Sequence, residues 1–587
     1  MNTAQYIVKK LEELGVNDFF GLPDDYNLNL ISAVENNSNT SWIGCTNTLN
    51  AGYAADGYAR VRGYGALITS YGTGELGAMN AIAGSMAENV PVFHLVGLPS
   101  TESIESKTLI HHNFQEVNYE NYFNAYKNVT AASAFLTRDN AKLELDRLLT
   151  VMINEKKPVY AAIPEDIAQM EISDRNVAYD RISDRTILDE VAAKIAEKIN
   201  NSQKPVIIGD VLIKRFDAHI EFKEFVEKSG IPVSNFMMGT NLINMDASNY
   251  IGSYMGKFKN PIAQKYIEET DCLIAVGPIY SDINSYGQDL PFDINAHITI
   301  YGNCAYVDGK KYENVKMQEL LEAVTELIEH KEIEFNKTNI GLKPQEAESD
   351  KLSLTYLCSR MQDYIKDNDI IFVETGTALP EIVQMKFPES VELNTQALWS
   401  SFGWATAAAF GAGIAKPQSR VILITGEGAH MQTAMEIGSM LRYGLKPIVV
   451  VINNNGYTAD KLFAGNSCKH GNVMQVNYAK FARVFDGDAW ATKVTTAEDF
   501  DKALRVTQIM NKLCYIEACI DSSETSSLTR DLVNALKSKV HNCKIPITNV
   551  NNIYSNSEVS LSQTDSYSEY ETVVHKAFNE ELFEEAE

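Results

Sequence analysis

Short, continuous apolar runs separated by longer amphipathic stretches recur along the chain, an alternation that predicts buried strands joined by helices. In residues 1–170 such runs fall at 18–21, 66–70 and 92–96. A second group begins near Lys204, with strands expected at 205–208, 230–234, 272–276 and 298–300. A third opens with a helix expected over 354–366 and a strand over 370–374, and continues through 422–426 and 448–453. Residues 421–425 and 447–452 suit strands covered on both faces and are much too short to span a bilayer. The pattern predicts an α/β protein of three open, mainly parallel sheets.

A chain of 587 residues exceeds the ordinary single domain several times over. The expected units are 1–175, 190–331 and 353–540, with a charged linker at 332–352 and an acidic tail at 546–587. Residues 1–15 form an amphipathic pattern carrying Lys9, Lys10, Glu12 and Glu13, unlike a signal peptide. The formal charge of −26 would repel a nucleic-acid backbone, although one helix N-terminus or basic group can still hold a small anion. Cys45, Cys272, Cys304, Cys358, Cys468, Cys514, Cys519 and Cys543 show no paired metal-ligand spacing, and read as free thiols of a reducing cytoplasm. Neither nucleic acid nor a membrane is expected as a partner.

The strongest chemical signal is Gly426-Glu427-Gly428, followed after a helix and a strand by Asn453-Asn454-Asn455-Gly456-Tyr457. Both motifs follow apolar strands, so they can meet at the carboxyl edge of one sheet, where open α/β sheets bind ligands. Gly428 and Gly456 allow close backbone approach to phosphate oxygens, and Glu427 and Asn454 can supply oxygen ligands to Mg²⁺. Alone, a Gly-x-Gly is a tight turn as readily as a site; the paired motifs are a narrower pattern. A dinucleotide fingerprint after the first strand and a Walker Lys-Ser/Thr are both missing.

Residues 426–460 (GEGAHMQTAMEIGSMLRYGLKPIVVVINNNGYTAD) resemble the thiamine-diphosphate motif of the pyruvate and indolepyruvate decarboxylase family. So do 20–28 (FGLPDDYNL), 50–60 (NAGYAADGYAR), 72–88 (GTGELGAMNAIAGSMAE), His111-His112 and 374–377 (ETGT), in the same order. The resemblance implies a pyrimidine-binding domain, a middle domain and a diphosphate-binding domain, with thiamine diphosphate between the first domain of one subunit and the third of another. A homo-oligomer, a dimer or a tetramer made of two dimers, is the implied assembly. It further implies Mg²⁺ on Glu427, Asn454 and the Gly456 carbonyl, diphosphate contacts from Thr377, Gly428 and Ala429, and Thr375, Gly376 and Tyr457 along the cofactor. Ser400 would offer its carbonyl to the aminopyrimidine and Phe402 would be the wedge that bends the cofactor.

Three acidic positions depart from the family pattern. Thr48 stands where a glutamate usually promotes the cofactor's own base, Glu427 replaces an aspartate, and Asp460 replaces a glutamate. Asp25, His111 and His112 match the family and imply proton relay. Ala459 and Leu379 are expected on the substrate side, with Ala459 leaving room for a 2-oxo acid larger than pyruvate. Three readings follow: decarboxylation of a 2-oxo acid to an aldehyde, carboligation with an acceptor aldehyde or ketone, and a cofactor-binding sensor with little turnover.

Overall fold

The computed structural model describes residues 1–173, 179–256, 260–287, 297–333, 340–346, 351–464 and 469–541. The compact body is Met1–Lys539; the expected acidic tail and part of the expected linker lie outside the described residues. The first helix, Thr3–Glu13, starts at Asn2, whose side chain accepts from the Gln5 amide while Gln5 answers the Asn2 amide.

The first sheet comprises β1 (Asp18–Gly21), β2 (Ser41–Gly44), β3 (Gly65–Ser70), β4 (Val92–Leu98), β5 (Ala132–Phe135) and β6 (Val159–Pro164). The second comprises β7 (Pro205–Gly209), β8 (Val233–Asn235), β9 (Cys272–Val276), β10 (Ile298–Ile300), β11 (Cys304–Val307) and β12 (Lys310–Glu313). The third comprises β13 (Ile370–Val373), β14 (Glu392–Thr395), β15 (Val421–Gly426), β16 (Ile448–Asn453), β17 (Ala489–Val494) and β18 (Leu513–Cys519).

The first sheet runs β2-β1-β3-β4-β6-β5 and the third β14-β13-β15-β16-β18-β17, the same order in two separate parts of the chain. All pairings in both are parallel. In each, the first strand has its successor on one side and the third strand on the other, so the order reverses there and leaves a crevice at the carboxyl ends. The second sheet departs from the parallel rule at its edge, where β10, β11 and β12 pair antiparallel. Asp308 and Gly309, both at positive φ, make the tight turn between β11 and β12.

Several expected bounds shift, two of them for a clear local reason. The strand expected at 230–234 is β8, three residues later at its start, because Gly230 at φ +66° closes the helix His219–Ser229. The helix expected over 354–366 ends at Tyr364, with Ile365 already extended.

The third sheet is covered on both faces. Ile370, Phe372, Leu423, Val449 and Val451 join the core of the first sheet, while their neighbours Ile371, Val373, Ile422, Ile424, Ile448 and Val450 join that of the second. Period-two alternation thus buries both sides, which is why these strands read as unbroken apolar runs. Helix Thr48–Arg62 crosses helix Trp404–Ala415 at backbone contact: a Cβ on Gly57 would lie 2.1 Å from the Ala408 carbonyl oxygen, and one on Gly411 1.9 Å from that of Ala54. Beside the crossing, Asp56 accepts from Arg60 (2.7 Å), Trp404 (2.8 Å) and Ser85 (2.8 Å). Among the described residues, no helix is long and apolar enough to cross a membrane.

Candidate active site

The carboxyl ends of β13, β15 and β16 deliver Glu374 to Thr377, Glu427 to Ala429 and Asn454 to Asp460 to one cavity of about 110 Å³. Thr375, Gly376, Thr377, Phe402, Glu427, Gly428, Ala429, Asn454, Gly456, Tyr457 and Asp460 all line it, as the sequence motifs imply. Ala459 lines it too. Leu379 does not: it is buried in the core shared with the second sheet, so its apolar side chain is packing and not a substrate wall.

Glu427 begins the short helix after β15, 2% exposed, and its Oε1 accepts the Gly456 amide at 2.7 Å. Burial pushes its carboxyl upward, because desolvation disfavours the ionised form. Asn454 spends its amide nitrogen on Thr458 Oγ1 at 2.8 Å, which leaves Oδ1 as an acceptor without a protein donor. Gly456 sits at φ +136°, and a Cβ there would lie 2.1 Å from the Gly471 carbonyl oxygen, so only glycine fits this turn. Around Gly376 and Gly426, by contrast, a Cβ would meet nothing within 4 Å. A paired acid and amide oxygen beside glycine-floored open space suits a metal-bound diphosphate.

The Phe402 and Tyr457 rings stack at 5.4 Å and 19°, and the Tyr457 hydroxyl donates to the Gly428 carbonyl at 3.2 Å. Phe402 rides on a loop fastened from the first sheet's side: Glu88 Oε1 accepts from the Leu398 and Trp399 amides (3.0 and 3.2 Å), while Arg60 holds Oε2 at 2.8 Å. Ser400 in that loop has φ +55° and a buried hydroxyl without a partner, and does not line the cavity. Glu374 is buried, and its carboxyl rises to about 8 by desolvation.

The other candidate groups gather at the carboxyl edge of the first sheet. Asp24 and Asp25 follow β1, and His111 and His112 lie on the segment after β4. His111 Nε2 is 3.3 Å from Asp25 Oδ2, and His112 Nδ1 is 3.8 Å from Asp24 Oδ2. The two carboxyls share a hydrogen bond; burial first and this bond second raise Asp24, while the bond chiefly lowers Asp25. Thr48 opens helix Thr48–Arg62, with its hydroxyl against Gly77, where a Cβ would come within 2.3 Å.

Sequence reasoning missed two carboxylates. Asp24 lies within the 20–28 motif, yet the family resemblance assigns a role only to its neighbour Asp25. Glu436, fully buried, accepts the Thr46 amide and hydroxyl on one oxygen (2.9 and 2.8 Å) and leaves the other without a partner, two residues from Thr48.

Residues 1–122 match the family model for the N-terminal domain of thiamine pyrophosphate enzymes, 192–330 that for the central domain, and 376–518 that for the C-terminal domain; the two outer models are described as TPP-binding. A Schizosaccharomyces pombe protein named as a pyruvate decarboxylase is 32% identical over 493 residues, 81% of this chain and 86% of that protein. An alpha-keto-acid decarboxylase of Mycolicibacterium paratuberculosis is 29% identical over 90% of this chain and 96% of its own length. Pyruvate decarboxylase isozyme 2 of Saccharomyces cerevisiae is 29% identical over 85% and 91%. With three successive thiamine pyrophosphate domains and this extent of shared sequence, the chain belongs to the pyruvate and indolepyruvate decarboxylase family of thiamine-diphosphate proteins, as a divergent member.

Proposed function

We propose that this protein removes CO₂ non-oxidatively from a 2-oxo acid larger than pyruvate, releasing an aldehyde, with thiamine diphosphate and Mg²⁺. The observation that carries the reading is the pairing of an oxygen-donor cavity at the third sheet with an Asp–His cluster at the equivalent edge of the first. Bound thiamine diphosphate supplies the electron sink for loss of CO₂. Glu427, Asn454 Oδ1 and the Gly456 carbonyl hold Mg²⁺; Thr377, Gly428 and Ala429 receive the diphosphate; Phe402, backed by Tyr457, supports the rings. Asp25 and the histidine pair orient the 2-oxo acid and deliver the proton that takes the place of CO₂ on the carbon released as the aldehyde. Ala459 leaves the substrate wall open beyond its Cβ.

Every lining residue of the cofactor cavity comes from the stretch between Glu374 and Asp460; Asp25, Thr48, His111 and His112 do not reach it within one chain. This supports a site completed by a second copy. Leu28, Leu109, Phe114, Trp399 and Met435, all at least 40% exposed, supply apolar surface for such a contact.

Asp460 favours one alternative. Its shorter side chain, where the family has glutamate, weakens protonation of the carbon that has lost CO₂, and an acceptor aldehyde or ketone has longer to react; carboligation is the second reading. The test is CO₂ release with mass-spectrometric product identification, using protein, thiamine diphosphate, Mg²⁺ and a panel of 2-oxo acids with and without added aldehydes. Aldehyde in step with CO₂ is expected. A coupled hydroxy ketone would replace the reading with carboligation, and bound cofactor with neither product would leave a sensor.

A further inference from the structure

The edge of the first sheet holds a ligand set that proton relay does not account for. Asp24, His111 and His112 each present one ligand atom, and the three lie within 4.8 Å of one another. His112 Nδ1 is buried without a hydrogen-bond partner, 3.8 Å from Asp24 Oδ2. Two ligands on a tetrahedral Zn²⁺, each at 2.0–2.2 Å, stand roughly 3.3–3.5 Å apart. That edge of the triangle is therefore within a few tenths of an ångström of closure.

Around His111 and Asp24 the surroundings suit a metal site. A coordinating histidine needs a partner for its other ring nitrogen, and a coordinating carboxylate needs a donor of its own. His111 has the Tyr26 hydroxyl 3.3 Å from Nδ1 and Asp25 Oδ2 3.3 Å from Nε2, so whichever nitrogen binds, the other keeps a partner. Ser70 Oγ donates to Asp24 at 2.8 Å. The backbone is fixed too: the Tyr71 hydroxyl donates to the His111 carbonyl, the Tyr122 hydroxyl to that of His112 at 3.1 Å, and His112 holds φ +68°. Gly72 accommodates this bend, since a Cβ there would lie 2.3 Å from the His112 carbonyl oxygen.

We propose that Asp24, His111 and His112 bind a zinc-class divalent cation, with water completing the shell. Two imidazoles and one carboxylate suit Zn²⁺ or Co²⁺, whereas Mg²⁺ takes the all-oxygen set of Glu427, Asn454 and Gly456. The two sites are thus sorted by ligand softness. Occupancy withdraws both imidazoles from proton transfer and reversibly inhibits turnover. Metal binding stands on the geometry alone; only the inhibition rests on the proposed decarboxylation.

The test titrates Co²⁺ into full-length protein saturated with thiamine diphosphate and excess Mg²⁺. One further Co²⁺ per chain is expected, with the intense visible absorption of a four-coordinate ion, displaced by stoichiometric Zn²⁺. In Asp24→Asn, which retains the shape of the side chain, affinity should fall at least about tenfold, and the midpoint of Zn²⁺ inhibition of CO₂ release should rise with it. Co²⁺ at the Mg²⁺ site would give only weak six-coordinate bands unaffected by Asp24→Asn. Absence of the four-coordinate spectrum, or its persistence unchanged in Asp24→Asn, overturns the proposal. His112→Gln serves as the second ligand variant should Asp24→Asn fail to fold, and unaltered Co²⁺ affinity in it is equally fatal.

Discussion

The Gly456 amide donates to Glu427 Oε1 at 2.7 Å, tying the end of β15 to the turn after β16 and committing one carboxylate oxygen to the protein. In the proposed site the same carboxylate also faces Mg²⁺. Glu427→Gln keeps the shape but removes the charge from a site whose carboxyl burial already disfavours in its ionised form. The melting temperature without ligand should hold or rise. Stabilisation by thiamine diphosphate with Mg²⁺ should vanish, as linkage requires when affinity falls by about two orders of magnitude. Thermal melts with and without the pair of ligands measure both.

Thr48→Glu adds a carboxylate in the first turn of helix Thr48–Arg62, where the helix dipole favours negative charge by about 0.3–1 kcal/mol. Folding stability should change little. The family resemblance puts a glutamate at this position, and restoring it should speed exchange of the bound cofactor's C2 proton at least about tenfold, a modest share of what a placed acid or base contributes. Hydrogen–deuterium exchange followed by NMR after acid quench reads this directly, and an unchanged rate would locate the limit elsewhere.

Glu374 carries its proton to about pH 8 in the folded chain, against an ordinary 4.5. Between those values the unfolded chain binds fewer protons than the folded one, so stability falls as pH rises. The contribution is complete below the unfolded value and is lost as pH climbs through about 8. Glu374→Gln should melt together with the parent at pH 5 and higher by at least about 3 °C at pH 8.5, without added ligands. Glu75 and Asp210, each pushed up to about 7 by burial, slope the same way; the difference between variant and parent isolates Glu374.

Gly57→Ala tests the helix crossing. Alanine gains about 1 kcal/mol of helix propensity over glycine. Its Cβ, however, would stand 2.1 Å from the Ala408 carbonyl oxygen and 2.5 Å from the Ala408 Cα, and backbone cannot swing aside as a side chain does. Overpacking costs about 1–3 kcal/mol or more, so the net effect is a lower unfolding midpoint, measurable by denaturant titration. A raised midpoint would mean that the helices separate easily.

Much of this fold was legible because strands covered on both faces cannot alternate: β15 and β16 read as unbroken apolar runs for the physical reason that each face meets a different core. The cavity was legible because its residues follow strand ends in short motifs. Gly230 misled the reading, since a glycine beside an apolar run marks a helix end as readily as a strand start. Asp308-Gly309 carried a hairpin signal that the expectation of parallel strands passed over. Asp24 and Glu436 were invisible for another reason: nothing local distinguishes them, and Glu436 acquires its partner from Thr46, 390 positions away. Leu379 shows the converse, a residue beside a motif that packs inward.

The contact of Gly57 with Ala408 and of Gly411 with Ala54 joins the first and third sheets as one girder. Each chain then carries two unlike jaws, pre-shaped and held at fixed spacing, so in the proposed assembly the seam that can open is the one between copies. Dilution that parts the copies should leave every jaw intact, and activity lost on dilution should return on reconcentration without any refolding delay.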